Sequence, residues 1–123
     1  MVLDDGTIAP TGAGGSIAFA PEIAIPALRD MSHRFGDNLF GTYGFLDAFN
    51  PTFNVPSAAR AGKVVPALGW FDTDYLGIDQ GPILAMIDNY EHDFVWKLLR
   101  KNACVYKVVK NRLALRALRD RVP

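Results

Sequence analysis

Between Gly36 and Gly77 this 123-residue chain loses helical periodicity, and Gly41, Gly44, Pro51, Pro56, Gly62, Pro66 and Gly69 punctuate the stretch as turns. Connections longer than roughly 12–15 residues are uncommon in compact domains, so a loop of this length constrains the fold more than any other feature. It is also rich in large apolar side chains, with Phe40, Phe45, Phe49, Phe53, Trp70 and Phe71 inside it. A handful of flanking helices cannot bury so many rings. The expectation is that these side chains pack against partners outside the chain or line a ligand groove between helices.

The flanks read as helices. Pro21 suits a first helical turn, Glu22 sits at the positive end, and Ile23, Ala27, Leu28, Met31 and Phe35 recur at helical spacing until Gly36 ends the run. Pro26 falls early in this helix and should bend it. A second helix begins near Asp79 or Gln80, with Asp79 as the candidate N-cap, Pro82 in the first turn and Ile83, Leu84, Met86, Ile87 and Tyr90 behind. A third starts after His92 with Asp93 capping Phe94, Val95, Trp96, Leu98 and Leu99, and a fourth carries Val105, Val108, Val109, Leu113 and Leu118. No strand pair is evident. The pattern predicts an all-α chain of about four helices joined by long irregular loops.

Composition narrows the class. Half the residues are hydrophobic and 21% are charged, which suits one compact domain and argues against disorder. No apolar run approaches the roughly 18 residues needed to span a bilayer. The start, Met1-Val2-Leu3-Asp4-Asp5, has neither a basic nor an apolar leader segment. The single cysteine, Cys104, excludes an internal disulfide and a multi-cysteine metal cage, and reads as a small buried residue. His33 and His92 lack ligand spacing, so no metal or other cofactor is expected. Zero net charge hides a segregation. Residues 1–96 hold four Lys/Arg against twelve Asp/Glu, and residues 97–123 hold nine against one. Only Tyr106 is interleaved among those basic residues, which does not suit nucleic acid; a C-terminal helix packing Leu113, Ala114, Ala117 and Leu118 on the body accounts for them better. The run Thr11 to Ser16 is glycine-rich but lacks the lysine and preceding strand of a phosphate loop, and Ser16 and Ser57 have no nucleophile elbow.

Several segments together resemble a known family. They are Asp4 to Thr11; Gly14-Gly15-Ser16 with Phe19-Ala20-Pro21-Glu22; Tyr43-Gly44-Phe45 with Asp47-Ala48-Phe49-Asn50-Pro51; and Tyr75-Leu76-Gly77-Ile78-Asp79-Gln80-Gly81-Pro82, followed by Asn89-Tyr90 and Val95-Trp96-Lys97. In this order and spacing, residues 4 to about 102 resemble the glycoamylase-like proteins, which include the endo-β-1,2-glucanases of glycoside hydrolase family 144. The resemblance implies an (α/α)6 toroid, with residues 1–123 forming the C-terminal segment of a single, incomplete domain and Met1 an internal start or a fragment boundary. It further implies a β-glucan substrate, β-1,2-linked in the first instance, an inverting course, and a periplasmic or secreted protein. A fragment of this size is expected to be inactive alone.

Glycoside hydrolysis normally uses two carboxyl groups, one protonated to assist the leaving oxygen and one ionised to activate water or attack carbon. Glu22, Asp47, Asp72, Asp74 and Asp79 lie in or beside the motif loops. Asp79 is the first choice, as general base, because Gly77 and Gly81 permit close backbone approach and Gln80 adds a donor and an acceptor for a sugar hydroxyl or water. The plainer reading is that Asp79 only caps its helix. Glu22 is second, as partner acid or substrate ligand, although it also complements a helix dipole. Asp47 is a candidate hydroxyl ligand, and Tyr43, Trp70 and Tyr75 are candidate platforms for pyranose faces, with Trp70 leading. A non-catalytic helical module that binds carbohydrate or a protein partner is the alternative. Convergence of the acids and Trp70 on one concavity would favour the enzyme.

Overall fold

The computed structural model describes residues 5–108 and 110–111. A short helix α1 (Pro10–Gly14) precedes α2 (Pro21–Phe35), and both start on proline, whose missing N–H costs nothing in the first turn. Gly36 ends α2 at φ +50°, a region open to glycine and strained for other residues. Helix α3 (Gly77–His92) leads through Asp93, in the left-handed conformation, into α4 (Phe94–Lys101). Helices α2 and α3 each continue through an internal proline, Pro26 and Pro82, and forgo one main-chain bond there. Helix α1 packs on both α2 and α3. Gly14 makes that approach possible, since a Cβ there would lie 2.6 Å from Cγ1 of Ile83.

The long segment between α2 and α3 is built of strands. The pair β1 (Phe40–Gly41) and β2 (Gly44–Phe45) forms a hairpin whose two-residue turn, Thr42-Tyr43, leads into Gly44 at φ +105°. Next come β3 (Phe49–Asn50), β4 (Lys63–Val65) and β5 (Gly69–Phe71), an antiparallel sheet of order β3-β5-β4 with Phe49 opposite Phe71 and Val64 opposite Trp70. Ile8 extends it by exchanging two main-chain hydrogen bonds with Phe49, at 2.8 and 2.9 Å.

This sheet and the end of α2 share one core. Phe35, Leu39, Phe45, Leu46, Phe49 and Phe71 are buried together, with Leu28, Met31, Val65 and Leu68 around them. The rings of Phe35 and Phe49 are 4.7 Å apart, and those of Phe35 and Phe71 are 5.4 Å apart in an edge-to-face arrangement. Fully burying one such ring is worth about 1.5–3 kcal/mol.

The chain is therefore not the all-α piece of an (α/α)6 toroid, with irregular loops, that helical spacing and family resemblance implied. Five strands in two small sheets occupy the supposed loop. Phe45, Phe49 and Phe71 likewise need no partner outside the chain, because they bury one another against Phe35. Strands of two or three residues fall below the four to eight over which alternation becomes readable. Two further expectations are corrected: Leu76, not Asp79, is the N-cap of α3, and Cys104 is exposed. Trp96 is half-buried, edge-on to Phe19 at 5.6 Å. Helical backbone resumes over residues 103–108, while Leu113, Ala114, Ala117 and Leu118 lie outside the described residues. No helix among the described residues is long and apolar enough to cross a membrane.

Candidate active site

The β1–β2 hairpin docks on the chain leading into α3, and glycines permit it. Tyr75 places its hydroxyl where a side chain on Gly41 would have to go, and a Cβ on Gly44 would lie 3.0 Å from Oε1 of Gln80. Nε2 of Gln80 donates to the Phe45 carbonyl at 2.5 Å. The tyrosine in the hairpin turn, Tyr43, meets Tyr75 edge-to-face at 5.5 Å. Tyr43 is 76% exposed and Tyr75 38%, so this aromatic pair faces solvent.

Directly behind the hairpin, the Asp47 N–H donates to the Asp74 carbonyl at 3.1 Å, and the Asp72 N–H donates to the Ala48 carbonyl at 2.9 Å. Oδ1 of Asp72 accepts from the N–H groups of Thr73 and Asp74, at 2.6 and 3.1 Å, and so shapes that turn. These main-chain ties bring the Asp47 carboxyl against that of Asp79, in the first turn of α3. The N-cap Leu76 offers no capping side chain, and among the described residues no N–H of the helix donates to the Asp79 carboxyl. It meets Asp47 instead, which is the outcome the plainer capping reading did not anticipate.

The proximity has an electrostatic consequence. The hydrogen bond to Asp79, with added contributions from burial, from the Asp79 charge and from the charges of Asp72 and Asp74, raises the Asp47 pKa from 3.8 to about 6. Below about pH 6 Asp47 therefore keeps its proton beside Asp79. Carboxyls in such direct interaction are not spaced like the roughly 5–5.5 Å of a retaining glycosidase pair or the roughly 6.5–9.5 Å of an inverting one.

Of the residues singled out in the sequence, Tyr43, Asp47, Tyr75, Asp79 and Gln80 come together. Glu22 does not join them. It stands exposed in the first turn of α2, without a hydrogen bond or ion pair among the described residues. Trp70 faces elsewhere: alternation along β5 turns it away from the core that holds Phe71, and it lines a separate groove with Asp5, Asn50 and Arg60. Sequence reasoning had Asp72 and Asp74 in the candidate pool but had no means of finding their role in raising Asp47, which depends on a strand pairing. Among the described residues, no group of His, Cys, Asp or Glu is arranged to hold a metal ion.

Known proteins are similar to this chain. An exo-β-1,2-glucooligosaccharide sophorohydrolase (non-reducing end) of Parabacteroides distasonis is 35% identical over 107 residues, which is 87% of this chain and 13% of that protein. The crystal structure of a putative glucoamylase from Bacteroides uniformis superposes with a TM-score of 0.65 at 41% identity, covering 83% of this chain and 21% of the other. An endo-β-1,2-glucanase from Chitinophaga pinensis, solved with sophorotriose and glucose, superposes with a TM-score of 0.65 at 32% identity, covering 86% and 22%. The chain thus spans between about an eighth and a little over a fifth of the length of these relatives. The model of the family described as putative glucoamylase matches residues 1–103, most of the chain and the whole of the acid cluster, and the chain belongs to that glycoamylase family.

Proposed function

We propose that this chain is one part of a single-domain hydrolase of β-1,2-linked glucan and contributes its water-activating carboxylate. The observation that carries the reading is the Asp47–Asp79 contact, made by an acid in the first turn of a helix that it does not cap. In this reading Asp79 is the general base. It lies near the positive end of α3, which favours its negative charge, and Asp47 holds a proton beside it below about pH 6. A water molecule attacks the anomeric carbon from the Asp79 side and gives its proton to that carboxylate. The glycosidic oxygen leaves from the opposite face and takes a proton from a second carboxylic acid, which is the inverting course.

The second acid belongs to the larger remainder of the enzyme, because the relatives are several times longer than this chain and the two acids in contact here are not spaced as a glycosidase pair. Glu22 is assigned to the rim of the cleft as a ligand for sugar hydroxyls. Tyr43 and Tyr75 form the stacking platform beside Asp79, supported by their exposure and mutual contact. Gln80 positions the hairpin through Phe45 and leaves its Oε1 and the second N–H of Nε2 for substrate. The relatives' activities on β-1,2-glucan and β-1,2-glucooligosaccharide support the substrate class.

The test is Asp79→Asn in the full-length enzyme, assayed by release of reducing ends from β-1,2-glucan. Losing a general base costs about 10²–10⁴-fold in rate. Unchanged turnover in a folded variant refutes the assignment, and the isolated chain should release no reducing ends.

A further inference from the structure

The sheet face opposite the Phe35–Phe49–Phe71 core carries a groove of about 310 Å3, lined by Asp5, Thr7, Asn50, Phe53, Arg60 and Trp70 together with the alanines around Arg60. It shares no residue with the acid cluster, and Asn50, opposite Trp70 in the sheet, lies three residues from Asp47, roughly 10 Å of extended strand.

The groove is rigid on both walls. Nε1 of Trp70 donates to the Ala61 carbonyl at 2.6 Å. Gly62, at φ +73°, passes so near the indole that a Cβ would lie 2.6 Å from that nitrogen. The ring is therefore held in one orientation by the backbone beside it. On the other wall Asn50, 4% exposed, uses its whole amide. Nδ2 donates to the Asp5 carbonyl at 2.7 Å and to Oγ1 of Thr7 at 3.4 Å, while Oδ1 accepts from the N–H and hydroxyl of Thr52 at 2.9 and 2.7 Å. Asp5 is fixed by this network, and its hydrogen bonds from Thr7 hold the carboxyl below the usual range, so it accepts throughout neutral pH. Arg60 brings a guanidinium with no ion pair or hydrogen bond among the described residues.

A fixed aromatic floor with an uncommitted cation and a carboxylate on its rim selects among ligands. An anion is repelled by Asp5, and a purely apolar ligand would strip water from both charges without return. A sugar satisfies all three, because vicinal hydroxyls donate and accept at once while the pyranose face covers the ring. Pre-set side chains keep the ordering cost of binding low.

We propose that this groove is a second glucan-binding site, separate from the Asp47–Asp79 centre, in which a glucosyl unit lies on Trp70 with its hydroxyls shared between Arg60 and Asp5. That the sugar is a β-1,2-linked glucan rests on the function proposed above.

The experiment titrates the full-length protein and its Trp70→Phe variant with β-1,2-gluco-oligosaccharides while tryptophan emission is followed, the difference between the two reporting on Trp70. A saturable change is expected, weakened about tenfold by Arg60→Ala and unaffected by Asp79→Asn. Absence of any emission change overturns the groove and leaves the acid centre standing. Loss of the response in Asp79→Asn but not in Arg60→Ala also overturns it, since binding would then lie at the acid cluster. A response to α-1,4-linked but not β-1,2-linked oligosaccharides overturns it through the substrate class alone.

Discussion

Replacing Asp47 by Asn should make the protein more stable at neutral pH, although it removes a charged residue at the centre of the site. In the folded state the Asp47 pKa stands at about 6 against 3.8 for an ordinary Asp, because Asp79 shares its proton and Asp72 and Asp74 repel its charge. The folded chain thus binds that proton more tightly than the unfolded one. Asp47's favourable contribution is complete below pH 3.8 and is lost as pH rises through about 6. Two pKa units correspond to about 3 kcal/mol as a ceiling. Asp47 is partly open to solvent, and screening reduces this to roughly 1–2 kcal/mol. The Asn side chain keeps a donor for the Asp79 carboxylate and carries no charge to repel it. Thermal unfolding of both forms between pH 3.5 and 8, followed by circular dichroism, should therefore give curves that coincide at the acid end, separate between about pH 4 and 6 and keep a constant offset above that, with the Asp47→Asn variant melting higher by several degrees. A separation that does not change with pH, or a less stable variant at pH 7, would refute the shared-proton account.

Other sites give independent checks. Phe71→Ala removes a fully buried ring from the one core joining sheet and helix, and urea unfolding should register a loss of about 3–5 kcal/mol. Gln80→Ala cuts the bond that pins the hairpin at Phe45, at a cost of about 0.5–1.5 kcal/mol. It should also move the carboxyl titration of Asp47, read by NMR, back toward the ordinary range; a titration left in place would deny Gln80 its positioning role.

Helix α2 was readable from local chemistry alone, since Pro21 opens it, apolar residues recur on one face, and Gly36 must adopt a positive φ to leave it. The Tyr75–Pro82 junction was likewise conspicuous through its glycines and its acid. The stretch from Phe40 to Phe71 was not. Its strands are held by pairings such as Phe49 with Phe71, between residues distant in sequence, and each is too short for its own alternation to register. The same limit governed the site. An Asp at the start of a helix is locally indistinguishable from a cap, and only a carboxyl delivered from beside β3 turns it into half of a proton-sharing pair.

Amino-acid order by itself therefore determined the longer helices, though not α1, together with the glycine-permitted turns and the family, because these depend on interactions within a few residues or on a motif read along the chain. Tertiary structure decided that the aromatic segment buries itself as a sheet, that Asp47 meets Asp79, and that Trp70 faces away from both. Hydrogen bonding across strands and repulsion between carboxylates act through space, and their partners are chosen only when the chain closes on itself.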